Sequence, residues 1–205
     1  MKKNIISANS SYTFFDYFKM NADFEEIVAF WNFGFQIDTI RLPKSVQEIE
    51  NLPEIERQIR DSFSRVSLDN ESARREALIS PILLEAARIS QSKVKIEFPI
   101  EVSQQLKGTL DYLLLNQSNL LVIEAKNEDL HRGFKQLAAE MIAVQQWAED
   151  DELKVLYGAV STGNLWQFGK LDIVNRIISK DLKVYDVPDE LSNLLHILVG
   201  ILERK

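Results

Sequence analysis

The 205-residue chain contains no cysteine. Disulfide staples and thiolate metal centres are therefore excluded. Histidine occurs only as His131 and His196, too few for a histidine-rich zinc centre. The same scarcity leaves little material for a serine or cysteine catalytic triad. No Gly-x-x-x-x-Gly-Lys-Ser/Thr phosphate loop is present, which argues against ATP use, and no Gly-x-Ser-x-Gly nucleophile elbow occurs. No apolar run reaches the ~20 residues of a membrane-spanning helix, and the opening MKKNIISANS lacks the apolar centre of a signal peptide. The expected setting is a reducing cytoplasm, without a membrane partner. Positive charge is also short: 24 Lys and Arg stand against 31 Asp and Glu, for a net charge of -7 and a pI near 5.0. That balance argues against strong nonspecific attraction to polyanions. It leaves room for a local basic patch, since Arg74, Arg75, Arg88, Lys93 and Lys95 cluster in sequence before the hairpin.

What is present suits one globular domain. Hydrophobic residues make up 45% and charged residues 27%, with no internal repeat or low-complexity segment. The expectation is a single domain over 1–205. Within it, 1–68 is a helical and aromatic N-terminal extension, 69–160 the core, and 161–205 additional strands and a C-terminal helix. The aromatics of 11–31 (Tyr12, Phe14, Phe15, Tyr17, Phe18, Phe24, Phe30, Trp31) are read as a small core packed on the main body. The alternative, a platform for stacking bases, is disfavoured because no basic residues interleave with the rings. Asp23 caps a short helix to about Trp31. Phe35 to Leu42 reads as a strand, and Ser45 as the cap of a polar helix to about Phe63 that Pro53 splits. Asp69 or Asn70 starts a helix to about Ser90, which Pro81 kinks. Lys93 to Val102 alternates as a strand, and Asn127 or Asp129 caps a helix to about Glu149. Val155 to Val160 and Leu165 to Phe168 are further strands. Arg176 to Tyr185 reads as an edge hairpin. The terminal helix after Pro188 carries Leu191, Leu194, Leu195, Leu198, Ile201 and Leu202 on one wide face, to be buried on the domain or used as a homodimer contact.

The stretch from Gly108 to Lys126, GTLDYLLLNQSNLLVIEAK, organises the rest. It reads as two apolar strands joined by a polar turn at Asn116-Gln117-Ser118-Asn119. Asp111, Glu124 and Lys126 interrupt the apolar run, and charge in a buried strand is costly unless something compensates it. With the four turn residues as the loop, Leu115 faces Leu120 and Asp111 falls opposite Glu124. Cross-strand partners share a face with Cβ atoms ~5 Å apart. Glu124 and Lys126, two residues apart, share it too. Two carboxylates so close call for a cation between them, and their hard oxygens suit Mg²⁺ or Mn²⁺. The lysine could hold a water or meet charge developing on a phosphate.

Asp111, twelve residues, then Glu124-Ala125-Lys126 resembles the PD-(D/E)xK nuclease superfamily, with Leu110 in place of the motif's proline. The element order from Glu71 to Val160 (helix, three strands, helix, strand) is similar to that superfamily's core. Arg75 to Glu85 is similar to the first core helix in nuclease domains of restriction-enzyme motor subunits. The resemblance implies an α/β fold of the restriction-endonuclease-like kind: a central mixed sheet flanked by helices, here with an N-terminal helical addition. It also implies a Mg²⁺- or Mn²⁺-dependent nuclease, an endonuclease-like hydrolase of phosphodiester bonds, acting on nucleic acid and in the first instance DNA. Asp111 and Glu124 would bind metal and Lys126 would position the attacking water. Glu85 lies on the core-facing stripe Leu78, Ile82, Glu85, Ile89; on its own it reads equally as a partner for Arg88. The resemblance makes it a third metal-site acid. Gln136 is carried into the site by the same resemblance, whereas Glu140 is expected to face solvent. The competing expectation is a catalytically silent binding or accessory module on the same fold.

Overall fold

A computed structural model describes residues 5–116 and 119–203. Its centre is one seven-stranded mixed sheet. The strands are β1 (Gly34–Asp38), β2 (Lys93–Ser103), β3 (Leu106–Asn116), β4 (Asn119–Ala125), β5 (Val155–Ser161), β6 (Leu165–Asp172) and β7 (Ile177–Asp186). Their order across the sheet is β1-β7-β6-β5-β4-β3-β2. β4 runs parallel to β5 and β1 to β7, and all other neighbours are antiparallel. The chain is thus an α/β protein with helices on both faces of the sheet.

The middle strands explain the layering. β4 is buried along almost its whole length, as a strand covered on both faces must be. Leu121, Ile123 and Ala125 enter one core with Trp166, Phe168 and the helices α3 (Leu52–Arg65), α5 (Ser80–Ser90) and α7 (Leu191–Leu202). Leu120 and Val122 enter the other, beneath α6 (Leu130–Ala148). The short helices α1 (Phe14–Lys19) and α2 (Phe24–Ala29) join that second core through Phe14, Tyr17, Phe24, Ile27 and Val28. β4, α6 and β5 form the parallel crossover unit, so the ends of β4 and β5 open beside the first turn of α6.

The hairpin register is the expected one: Leu115 pairs with Leu120, Leu114 with Leu121, Leu113 with Val122 and Tyr112 with Ile123. Asn116 also pairs with Asn119, and residues 117 and 118 of the expected turn lie outside the described residues.

Several expectations are corrected. Pro53 does not split a helix but sits in the first turn of α3, where a missing N–H leaves no bond unmade. Residues 45–51, expected as its earlier half, are not helical. The helix from Asn70 to Ser90 is continuous but widens. Asn70 caps α4 (Glu71–Arg74), and the turn Arg75–Ile79 is π-helical, with the Ser80 amide bonding back to the Arg75 carbonyl. Pro81 follows directly; its ring would crowd the Ala77 carbonyl in a tight α-turn, and the wider turn relieves that contact. Arg176 to Tyr185 is not a separate hairpin: β7 is one strand, bonded to β6 and to β1. The N-terminal portion is therefore more than a helical addition, because it supplies the edge strand of the sheet. The apolar residues of α7 are buried within the chain against α5, β3 and β4, the first of the two expectations for that face.

Gly108 in β3 has φ +149°, and a Cβ there would stand 2.8 Å from the Phe14 ring. The glycine lets α1 lie directly on the sheet. Gly108→Ala is expected to cost more than about 1 kcal/mol, read as a lower urea midpoint at unchanged m-value. An unchanged midpoint would show that α1 does not depend on this approach.

Candidate functional site

The middle of β3, the end of β4 and the helices α4 and α6 meet around Asp111, Glu124 and Lys126. Continuing the hairpin register past Tyr112 and Ile123 sets Asp111 across from Glu124. The Ala125 amide donates to Asp111 Oδ2 at 2.8 Å, which ties the middle of β3 to the end of β4. Arg75, from the π turn, reaches Asp111 Oδ1 at 3.2 Å and also pairs with Glu97 of β2. Glu97 has φ +51° within its strand and lies across from Asp111 on the other side. Lys126 pairs with Glu124 Oε1, lies 3.8 Å from Glu71 Oε2 at the start of α4, and stands 5.3 Å from the centre of the Phe18 ring. Arg74 clamps α4 over the strand ends by donating to Asn127 Oδ1 at 3.1 Å and the Thr162 carbonyl at 2.9 Å.

From the opposite side, α6 adds Gln136 and Glu140, both buried. Gln136 Nε2 donates to Glu140 Oε1 at 2.8 Å. Glu124 and Glu140 are close enough for each carboxyl to act on the charge of the other. α6 approaches because residue 133 is glycine: a Cβ there would stand 2.7 Å from Val160 Cγ1 and 2.9 Å from Lys126 Cγ. The lysine stem fills the space that any larger residue would need.

The electrostatics follow from burial. Glu124 is 1% exposed and Glu140 0%. Desolvation pushes Glu124 well above the usual carboxyl range, the Glu140 and Asp111 carboxylates push the same way, and Lys126 opposes them. Desolvation also pushes Glu140 up to about 7. Burial works against the charge on Lys126, yet the facing Glu124 and Glu71 carboxylates outweigh it and raise its pKa. Glu71 is raised too, first by burial, with Lys126 opposing.

Glu124 Oε2, Glu140 Oε2 and Gln136 Oε1 are buried and receive no donor. A cluster of acceptors without donors is costly unless a proton or a cation fills it. All the donor atoms are oxygen, which fits Mg²⁺ or Mn²⁺ better than softer metals. Among the described residues, however, no three or more Asp, Glu or His side chains are gathered as a ready cage. The fit rests on the orphaned oxygens and on the oxygen chemistry of Asp111 and Glu124.

The structure brings together Asp111, Glu124, Lys126 and Gln136 of the expected set. Glu85 is a correction. It is buried, but Arg88 holds it through two hydrogen bonds of 2.9 and 2.8 Å, and its remaining contact is Asn51 at 3.5 Å. It lies ten residues beyond Arg75, ~15 Å along the helix. The acid on this helix that reaches Lys126 is Glu71, more than three turns earlier. Glu140 is a second correction, since it is fully buried rather than solvent-facing. The signal was available: α6 is apolar nearly all round from Phe134 to Val144, and a helix of that kind is buried on all sides. Glu71, Arg75 and Gly133 carried no comparable mark. Of the basic residues that cluster in sequence, Arg74, Arg75 and Arg88 are engaged with their own partners, Lys95 lies over the Phe98 and Trp147 rings, and Lys93 is exposed.

No family model matches the chain, and no curated protein matches it.

Glu140 binds its proton more tightly folded than unfolded. Its contribution is therefore complete below the ordinary carboxyl pKa of ~4.3 and is lost as pH rises through about 7. Without divalent ions, the thermal midpoint should fall between pH 5 and 8, and Glu140→Gln should flatten that fall. An identical slope in the variant would remove Glu140 as its source.

Proposed function

We propose that the protein is a metal-dependent nuclease of the restriction-endonuclease-like kind, hydrolysing phosphodiester bonds in nucleic acid, in the first instance DNA. The observation that carries this reading is the meeting of Asp111, Glu124 and Lys126 at the end of β4, beside three buried oxygens that lack donors. The element order supports it: α4 and α5, then β2, β3 and β4, then α6 and β5 follow the superfamily's succession.

Asp111 and Glu124 would hold Mg²⁺ or Mn²⁺, with the Ala125 carbonyl available beside them and Glu71 and Glu140 as further acids. The bound ion would supply Lewis-acid polarisation of the phosphate and a more acidic water. Lys126 holds its positive charge in the buried site because Glu124 faces it, so its ammonium can orient a water or meet negative charge on a phosphoryl oxygen. Gln136 fixes Glu140 through its amide nitrogen, and its own oxygen is buried without a donor. Gly133 leaves room for the lysine stem between α6 and β5.

A second reading, a catalytically silent binding or accessory module, is favoured by the ion pairs. Lys126 already meets Glu124, and Arg75 already meets Asp111.

Asp111→Ala and Glu124→Gln should each reduce Mg²⁺-dependent cleavage of plasmid and single-stranded substrates by at least ~10²-fold, with circular dichroism unchanged. Cleavage that persists in both variants overturns the assignment. Saturable binding of nucleic acid by the wild type, without cleavage in Mg²⁺ or Mn²⁺, selects the silent module.

A further inference from the structure

Helix α1, Phe14-Phe15-Asp16-Tyr17-Phe18-Lys19, divides its aromatics between two sides. Phe14 and Tyr17 are buried in the core under α6. Phe15 is 48% exposed and Phe18 half-buried, and neither joins a core cluster. Their rings lie nearly parallel, tilted by 10° with centroids 5.7 Å apart. An ammonium lies over each ring: Lys19 Nζ is 4.2 Å from the Phe15 centroid, and the buried Lys126 Nζ is 5.3 Å from that of Phe18.

The pair is rigidly presented. Phe14 rests against Gly108, and the Tyr17 hydroxyl donates to the Gln105 carbonyl at 2.5 Å. Thr13 bridges to Lys107, and Thr13 and Asp16 close the helix start with a capping box. Fixed rings lose little freedom when a ligand stacks on them.

We propose that Phe15 and Phe18 form a stacking platform for unpaired bases of single-stranded DNA, with Lys19 beside its phosphates. The platform directs the strand past Lys126. Its role in positioning a scissile bond rests on the nuclease reading above, whereas the stacking does not. The occupant follows from the chemistry of the patch. Two stacked aromatic rings and the exposed ammonium of Lys19 lie within a few ångströms, although no other basic residue interleaves with the rings in sequence, and a single nucleic-acid strand sets flat π surfaces beside negative charge at the same spacing. A duplex keeps its base faces inside and offers only phosphates. The chain's net charge of -7 gives phosphates alone little hold. Base stacking therefore has to supply much of the affinity, and single strands should bind better than duplexes.

The test uses the full chain in EDTA, with a labelled oligothymidylate of about 12 nucleotides and a duplex of equal length. The oligothymidylate should bind at least ~10-fold more tightly than the duplex. Phe15→Ala and Phe18→Ala should each weaken it ~5–10-fold and change duplex binding less than ~2-fold. Phe15→Trp should keep single-strand affinity and show fluorescence quenching beyond that of the wild type. Should Phe18→Ala fail to fold, the two variants at exposed Phe15 decide the matter. Equal affinity for both forms, equal losses on both, or no binding of the oligothymidylate would overturn the platform. Because no divalent ion is present, these results stand apart from cleavage: binding as expected with no cleavage on adding Mg²⁺ would sink the nuclease reading alone.

Discussion

Everything at the end of β4 depends on compensating charge that has been taken out of water. Glu124 and Glu140 are fully enclosed, and burial of an uncompensated carboxylate is among the most costly arrangements a fold can contain. Lys126 meets one oxygen of Glu124, and Gln136 donates to one of Glu140. The remaining oxygens have no donor. The cluster is thus one positive charge short of balance, and a proton on one of the two glutamates is the simplest substitute. A purely structural polar network would be expected to satisfy its own members.

That imbalance is built by backbone devices rather than by the acids themselves. The hairpin register brings Asp111 to the level of Glu124, and the parallel crossover lays α6 over the same strand ends. Gly133 removes the one side chain that would keep α6 away from Lys126. The π turn ahead of Pro81 keeps α4 and α5 as one continuous helix, so that Glu71 and Arg75 arrive at the strand ends while Leu78 and Ile82 stay in the core. Gly108 does the same for α1, bringing Phe18 up to Lys126 from the far side.

The central hairpin was legible from sequence because its signal is local and doubly determined. Period-two side chains set the faces, and the turn sets the register, so Asp111 and Glu124 could be matched by counting. Glu85 misled because a buried helix position shows only that a carboxylate needs a partner, not which one. Arg88, three residues on, is close enough to serve on the same helix. Glu71 was invisible for the converse reason: its partner lies 55 residues away and is reached only after the sheet has formed. β7 was broken into a hairpin in the sequence reading because Lys180, Asp181 and Lys183 look like a turn. In the fold Lys180 and Asp181 are buried and lie within one continuous strand, paired with Ile37 and Asp38 of β1. Sheet neighbours distant in sequence leave no trace in local periodicity.

The active and silent readings differ in what completes the charge balance. On the β2–β3 side Arg75 pairs with both Glu97 and Asp111, so each of those carboxylates has a fixed cationic partner. On the α6 side Lys126 meets Glu124, and among the described residues Glu140 has no ion pair. Each carboxylate oxygen has more than one lone pair, so the Arg75 and Ala125 contacts leave Asp111 able to accept another ligand. A cation arriving at Glu124 would therefore add to the Arg75 pair rather than have to displace it. It would replace a proton, and proton release on metal binding is the thermodynamic mark that separates a site poised for an ion from one closed by its own side chains.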